Sequence, residues 1–239
     1  MKIDILAFGA HPDDVELGAG GTLCKAVALG QKVVIIDLTQ GELGTRGSAQ
    51  QRAVEAEKAA KIIGALAREN LSLADGFFEN SKENQLKVIR KIRQYQPEVV
   101  FCNAIRDRHI DHGRGSSLVS QACFLSGLIK IETLDSEEKP QQAWRPKQVL
   151  HYIQWEEIEP QLCLDISDYL DQKMEAVKAY DSQFFNPSVT APETPISSEN
   201  FLNSVAYRAQ NLGRLVGVAA AEGFTVEKMV TLNSTKSLL

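Results

Sequence analysis

The sequence predicts an α/β fold, a Rossmann-like and mostly parallel sheet flanked by helices, with a C-terminal segment covering the site. Short runs that are apolar almost throughout, Val33 to Leu38 and Val99 to Asn103, look like strands buried on both faces. Helical patterns alternate with such runs across short connections, which requires right-handed βαβ units and hence parallel strands. The chain has 239 residues, 44% hydrophobic and 24% charged, enough for a single α/β core and too apolar for wholesale disorder.

Taken in order, Ile3 to Phe8 reads as the first strand and Gly18 to Leu29 as a helix stopped by Gly30. Val33 to Leu38 is the second strand, and the Gly-rich polar stretch Gln40 to Ser48 is a loop. A helix over Ala49 to Ile63 stops at Gly64, a weak strand covers Leu71 to Leu73, and a helix from Glu83 to Gln94 ends before Pro97. Val99 to Asn103 and Gly113 to Gly127 complete the alternation. Beyond it lie a polar connector from Thr133 to Lys147, a strand from Val149 to Trp155, a helix from Ser167 to Tyr180 and a final helix from Asn200 to Ala221. Phe185 to Ser198, with Pro187, Pro192 and Pro195, reads as a loop and is expected to be a mobile cover over substrate. No repeat or low-complexity tract divides the chain, so residues 1–239 are expected to form one domain, with 1–130 as its core and 131–239 folded over the site.

Charge and composition exclude several classes. A net charge of −5 argues against a phosphate-driven nucleic-acid binder. No apolar run approaches the ~18 residues of a membrane helix. The N-terminal apolar stretch carries Asp4 and runs straight into His-Pro-Asp-Asp, unlike a signal peptide, so a cytoplasmic location is expected. Cys24, Cys102, Cys123 and Cys163 form no C-x-x-C pair and are read as inert thiols.

In a parallel sheet the site lies beyond the carboxyl ends of the strands. Three of the four histidines fall there: His11 in Gly9-Ala-His-Pro-Asp-Asp-Val-Glu16, and His109 and His112 in Asp107-Arg-His-Ile-Asp-His112. Each cluster alone could be a capped turn or a solvated loop. Together at one sheet edge they match a catalytic metal site, in which two His and one Asp leave a position open to water. A dinucleotide site is disfavoured, because Gly18, Gly20 and Gly21 do not fit G-x-G-x-x-G. Asp13, Asp14 and Glu16 would also repel a pyrophosphate.

Ala10-His-Pro-Asp-Asp14, Glu16-Leu-Gly18 and the downstream His-x-Asp-His resemble the LmbE-like (PIG-L) family of zinc-dependent N-deacetylases. Gly41-Glu-Leu-Gly-Thr-Arg-Gly47, Arg52-x-x-Glu55, Cys102-Asn-Ala104, Tyr180-x-Ser-Gln-Phe184, Arg208 and Ala221-Glu-Gly-Phe224 look like its bacillithiol-biosynthesis branch, which deacetylates N-acetylglucosaminyl-malate. The resemblance implies His11, Asp14 and His112 as zinc ligands, Asp13 as general base, His109 as the imidazole that stabilises the oxyanion, and Asp111 as the acid orienting it. It further implies a homo-oligomer, trimer or hexamer. A His2Asp site also accepts Fe2+, Co2+ or Mn2+. Chemically, Asp13 could take a proton from water and pass it to the leaving amine, and a protonated His109 could meet the developing negative oxygen.

Arg46, Arg52, Arg106 and Arg108 lie in or beside these loops and are candidates to read a substrate carboxylate. Arg52 could instead pair with Glu55 or Glu57, and Arg106 and Arg108 could simply be solvated. Trp144 and Trp155 are read as packing residues rather than sugar platforms, and His151 as a satisfied core or rim histidine.

Overall fold

A computed structural model describes residues 1–231 of the chain. Strands β1 (Ile5–Gly9), β2 (Val33–Thr39), β3 (Ala67–Leu73), β4 (Val99–Cys102) and β5 (Gln148–Tyr152) pair in parallel, and β6 (Leu162–Asp165) and β7 (Ala221–Val226) extend the same sheet. The order is β3-β2-β1-β4-β5-β7-β6, with β7 antiparallel to both neighbours. Strand alternation sorts the core into two layers. Ile5, Ala7, Val33 and Ile35 face one side, where they meet α1 (Asp14–Ala28), α2 (Ala49–Ile63), α5 (Leu170–Lys178) and α6 (Glu199–Val216). Leu6, Phe8, Val34 and Ile36 face the other, against α3 (Lys82–Tyr95) and α4 (Ile110–Ser126). This is the expected α/β architecture of helices on both faces of a mostly parallel sheet.

Three element expectations need correction. The helix expected from Gly18 begins at Asp14, one residue after Asp13. The final helix ends at Val216, capped by Gly217 with φ 82°, and Ala221 starts a strand instead of closing the helix. The strand β3 runs from Ala67 rather than Leu71; its polar sequence conceals it because Arg68 faces inward to Asp37 and Glu16 instead of solvent. The short strand β6 has no counterpart in the sequence reading, since four residues between polar loops carry little period.

The chain runs from β1 outward to β2 and β3, whereas β4 lies on the opposite side of β1. The loops after β1 and β4 therefore diverge from adjacent strand ends, and a crevice opens between them. His11 and the acids after β1 meet Asp107, His109 and His112 after β4 at that point.

Candidate metal centre and active site

Gly9 ends β1 in a turn so close that a Cβ there would lie 2.9 Å from the His11 carbonyl oxygen. The turn is then locked by side chains. Ala10 N–H donates to Asn103 Oδ1 at 2.8 Å, and His11 N–H donates to Asp14 Oδ2 at 2.9 Å. Asn103 Nδ2 also donates to Asp14 Oδ2, and Gln154 Nε2 to Asp14 Oδ1, both within 2.9 Å. Asp14 sits in the first turn of α1, where the helix dipole favours a carboxylate.

Three side chains with donor atoms suited to a cation converge on this point. His11 Nδ1 lies 3.5 Å from Asp14 Oδ2, and His112 Nε2 lies 3.1 Å from Asp14 Oδ1. The remaining nitrogen of each imidazole is held from behind by acids. His11 Nε2 meets Asp75 at 3.1 Å and Asp111 at 3.4 Å, and His112 Nδ1 meets Asp107 at 2.7 Å. Metal-binding histidines are oriented in this way, with a carboxylate on the nitrogen that does not bind. The donor set of two imidazoles and a carboxylate thus fits a divalent cation such as zinc. His109 is part of the same cluster, and His11, His109 and His112 can each place a ring nitrogen within 4.8 Å of the others.

The protein groups alone load this cluster with charge. Burial pulls His11 and His112 down, but the surrounding carboxylates outweigh it, raising His11 well above its ordinary range and His112 to about 9. Burial would raise Asp14, yet His112 and His11 hold it well below the usual carboxylate range. A cation binding here displaces those protons.

His109 caps α4, and its Nδ1 accepts the Asp111 backbone N–H at 3.3 Å. An accepting Nδ1 leaves the hydrogen on Nε2, so the ring is a neutral donor. Burial and the neighbouring imidazoliums push His109 below its ordinary value, in the same direction. The protonated His109 of the sequence argument is therefore replaced by a neutral imidazole that donates through Nε2. The Asp111 carboxylate also differs from expectation: it meets His11, the Gly76 N–H and Arg114, and touches His109 only through its backbone.

Asp13 is buried beside the cluster at φ 118°, a strained backbone for a non-glycine residue. Arg52 holds it there by donating from Nη2 to Asp13 Oδ2 at 3.0 Å and to the Pro12 carbonyl. Burial pushes Asp13 up to about 7, with the Arg52 charge opposing that rise. Arg52 consequently pairs with neither Glu55 nor Glu57; it binds Asp13 while also lining the cleft. Glu55 instead accepts the backbone N–H and hydroxyl of Ser182.

The cluster opens into a cleft of about 730 Å³. Arg46 and Arg108 line it, but Arg106 does not; it lies exposed beside Glu156 at 3.5 Å. Trp155 lines the cleft between Arg108, 4.6 Å from its ring, and Phe201, at 5.3 Å between centroids, so it is a wall of the site and not only a packing residue. Trp144 packs as expected, donating to the Pro97 carbonyl at 2.8 Å. Thr194, Pro195 and Ile196 of the Pro-rich loop border the cleft. Asp75, Asp107, Asn103 and Gln154 join the site without having been marked by the sequence as site residues. Only Asp107, next to the second histidine cluster, and Asn103, at a strand end, carry a positional signal.

Fold and site define an α/β protein with a candidate metal centre at the switch point of its sheet. Residues 6–123 match the PIG-L family, described as GlcNAc-PI de-N-acetylase, and the chain belongs to that family. The conserved protein TT1542 from Thermus thermophilus superposes with a TM-score of 0.84 at 33% identity, over 96% of this chain and 97% of that one. A diacetylchitobiose deacetylase from Thermococcus kodakarensis is 27% identical over 75% of this chain and 70% of its own length. The fold is also that of GalB, the 4-carboxy-2-hydroxymuconate hydratase from Pseudomonas putida KT2440, with a TM-score of 0.76 at 21% identity over 98% of this chain and all of that one. Among the described residues no helix is long and apolar enough to cross a membrane.

Proposed function

We propose that this chain is a metal-dependent N-deacetylase that hydrolyses the acetamide of an N-acetylglucosamine conjugate to the free amine and acetate. N-acetylglucosaminyl-malate, in bacillithiol biosynthesis, is the substrate we favour. Zinc is the ion we favour at His11, Asp14 and His112, with Fe2+, Co2+ or Mn2+ as substitutes. The observation that carries the reading is Asp13: a buried, strained carboxylate held by Arg52 against the His-Asp-His cluster, with a pKa near neutrality.

Asp13 accepts a proton from the attacking water and returns it to the amine nitrogen as the C–N bond breaks, so one water is consumed and the charges balance. His109 donates from Nε2 to the acyl oxygen as negative charge develops on it. A divalent cation, when bound, supplies Lewis acidity to that oxygen and to water. Asp75, Asp111 and Asp107 keep the imidazoles aimed, and Arg52 keeps the Asp13 carboxylate in place. A cytoplasmic location and assembly as a homo-oligomer, trimer or hexamer, belong to the same reading and rest on the family resemblance.

A second reading is favoured by the Thermococcus relative: a chitooligosaccharide deacetylase that shares every catalytic residue and differs at the rim. Acetate and primary amine released from N-acetylglucosaminyl-malate, diacetylchitobiose and methyl N-acetylglucosaminide test both, with protein stripped by chelator and reloaded with each metal. Metal-dependent acetate release, fastest from the malyl conjugate, is expected. No acetate from any N-acetyl substrate would overturn the deacetylase assignment, and preference for diacetylchitobiose would replace the substrate.

A further inference from the structure

Four arginines among the described residues have buried side chains, and three of them have partners within the protein, although the Nε of Arg52 makes no hydrogen bond. Arg52 binds Asp13 and the carbonyls of Pro12 and Gly41. Arg68 binds Asp37 and Glu16. Arg93 donates to the carbonyls of Ser126, Leu128 and Ile131 and to the Thr133 hydroxyl. Arg46 is the exception. It is 6% exposed and lines the cleft, yet its guanidinium makes no hydrogen bond or ion pair with the described residues, and its Nε is buried without a partner.

The loop cannot easily relax to satisfy it. Gln183 Nε2 donates to the Arg46 carbonyl at 2.7 Å, and the next residue, Gly47, has φ 71° and no room for a Cβ, which would lie 2.7 Å from Ser182 Oγ. Ser182 is itself fixed by two hydrogen bonds to Glu55. The 180–184 segment thereby clamps the loop after β2 and presents an unpaired cation at the cleft wall. A buried Nε donor without an acceptor costs stability, so this arrangement serves a ligand better than it serves the protein.

We propose that Arg46 is the receptor for an oxyanion, carboxylate or phosphate, carried by the substrate away from its acetamide. The inference rests on the deacetylase reading and deepens it by separating Arg46 from the other candidates. Arg52 is bound to Asp13, Arg106 pairs with Glu156 outside the cleft, and Arg108 lies over Trp155. A guanidinium fork matches a planar carboxylate by two parallel hydrogen bonds, which a lysine cannot reproduce.

The test compares wild type, Arg46→Lys and Arg46→Met, all metal-loaded. The first readout is the ratio of kcat/KM for N-acetylglucosaminyl-malate over methyl N-acetylglucosaminide, with N-acetylglucosamine 1-phosphate as the phosphate arm. The ratio for the preferred anion should fall about 100-fold in Arg46→Met and by less in Arg46→Lys, as expected for lost charge-assisted hydrogen bonds. Whichever anionic arm shows the loss identifies the oxyanion. The second readout needs no turnover: calorimetric titration with malate and with inorganic phosphate, beside Tm without anion. Arg46→Met should weaken anion binding at least ~10-fold while its anion-free Tm stays level or rises, since a buried donor without an acceptor has gone. Unchanged ratios and unchanged anion binding would overturn the proposal, as would a large fall in anion-free Tm, which would make Arg46 structural. If no N-acetyl substrate is hydrolysed, the deacetylase reading fails and the titration alone decides Arg46.

Discussion

Asp13 combines two unfavourable features, a φ of 118° and a carboxylate buried from water, and both are imposed by its neighbours. Strain of this kind persists where surrounding contacts over-determine a residue, as Pro12, Asp14 and Arg52 do here. Asparagine tolerates positive φ and keeps an oxygen for Arg52, but cannot take the proton. Asp13→Asn should therefore retain metal and Tm while kcat falls by roughly 10²–10⁴-fold. A near-normal kcat, measured by acetate release, would move the base elsewhere. His151, which does not line the cleft, offers a second test. Its Nε2 faces Glu227 at 3.1 Å, and its Nδ1 faces the Asn103 carbonyl at 3.1 Å, Ser116 Oγ at 2.8 Å and Cys102 Sγ at 3.3 Å. A carboxylate and a carbonyl only accept, so both ring nitrogens donate and the imidazolium is favoured. Burial opposes this, yet Cys102, Glu227 and Asn103 raise the pKa to about 10. The folded value exceeds the unfolded value of about 6.5, so this stabilisation is full below that pH and is lost as pH rises toward 10. The Tm difference between wild type and Glu227→Gln should shrink across that window; a difference that stays constant would show that His151 does not titrate there.

The elements are positioned by close approach as much as by their own propensities. In α1 the glycines make contact surfaces. A Cβ on Gly18 would lie 2.1 Å from the Tyr152 ring, and one on Gly21 would lie 2.7 Å from Ile166. Tyr152 is pinned in turn by donating to the Phe8 carbonyl at 2.8 Å. Gly18→Ala should cost about 1–3 kcal/mol through overpacking, visible as a lower denaturant midpoint. An unchanged midpoint would mean that β5 shifts freely. The β4–α4 loop carries the other half of the site, and Asp107 is what aims His112. Asp107→Asn should weaken metal affinity about 10–100-fold without abolishing binding. Full loss of metal in His112→Ala beside intact affinity in Asp107→Asn would show that the ring is oriented by packing alone.

At the scale of the whole molecule, one sheet joins two unlike halves: five parallel strands that build the edge carrying the histidine cluster, and an antiparallel pair, β6 and β7, that carries the chain back under α6. The returning half supplies one wall of the cleft through Trp155, Phe201 and the Pro-rich loop. Shortening the loop at Thr194 to Ile196 should raise KM and leave metal content unchanged. Wild-type kinetics in that variant would reduce the loop to a surface connector.

The two histidine clusters, the parallel core and the acids of the β1 loop were legible in the sequence, because they are local. A buried strand is a continuous apolar run, and ligands gather in short segments at strand ends. Partners distant along the chain were not legible. Asp75 behind His11, Gln154 on Asp14, Arg52 on Asp13 and the 180–184 clamp on the Arg46 loop join residues 39 to 140 positions apart, and no period or spacing announces them. The same limit hid β6 and β7, whose identity as strands depends on edges supplied by one another and by β5. The sequence by itself determined that two clusters of histidine and carboxylate stand at strand ends of a mostly parallel sheet. Tertiary structure alone decided that Arg52 pairs with Asp13 while Arg46 has no partner among the described residues, because which buried charge finds a partner depends on what the fold brings beside it.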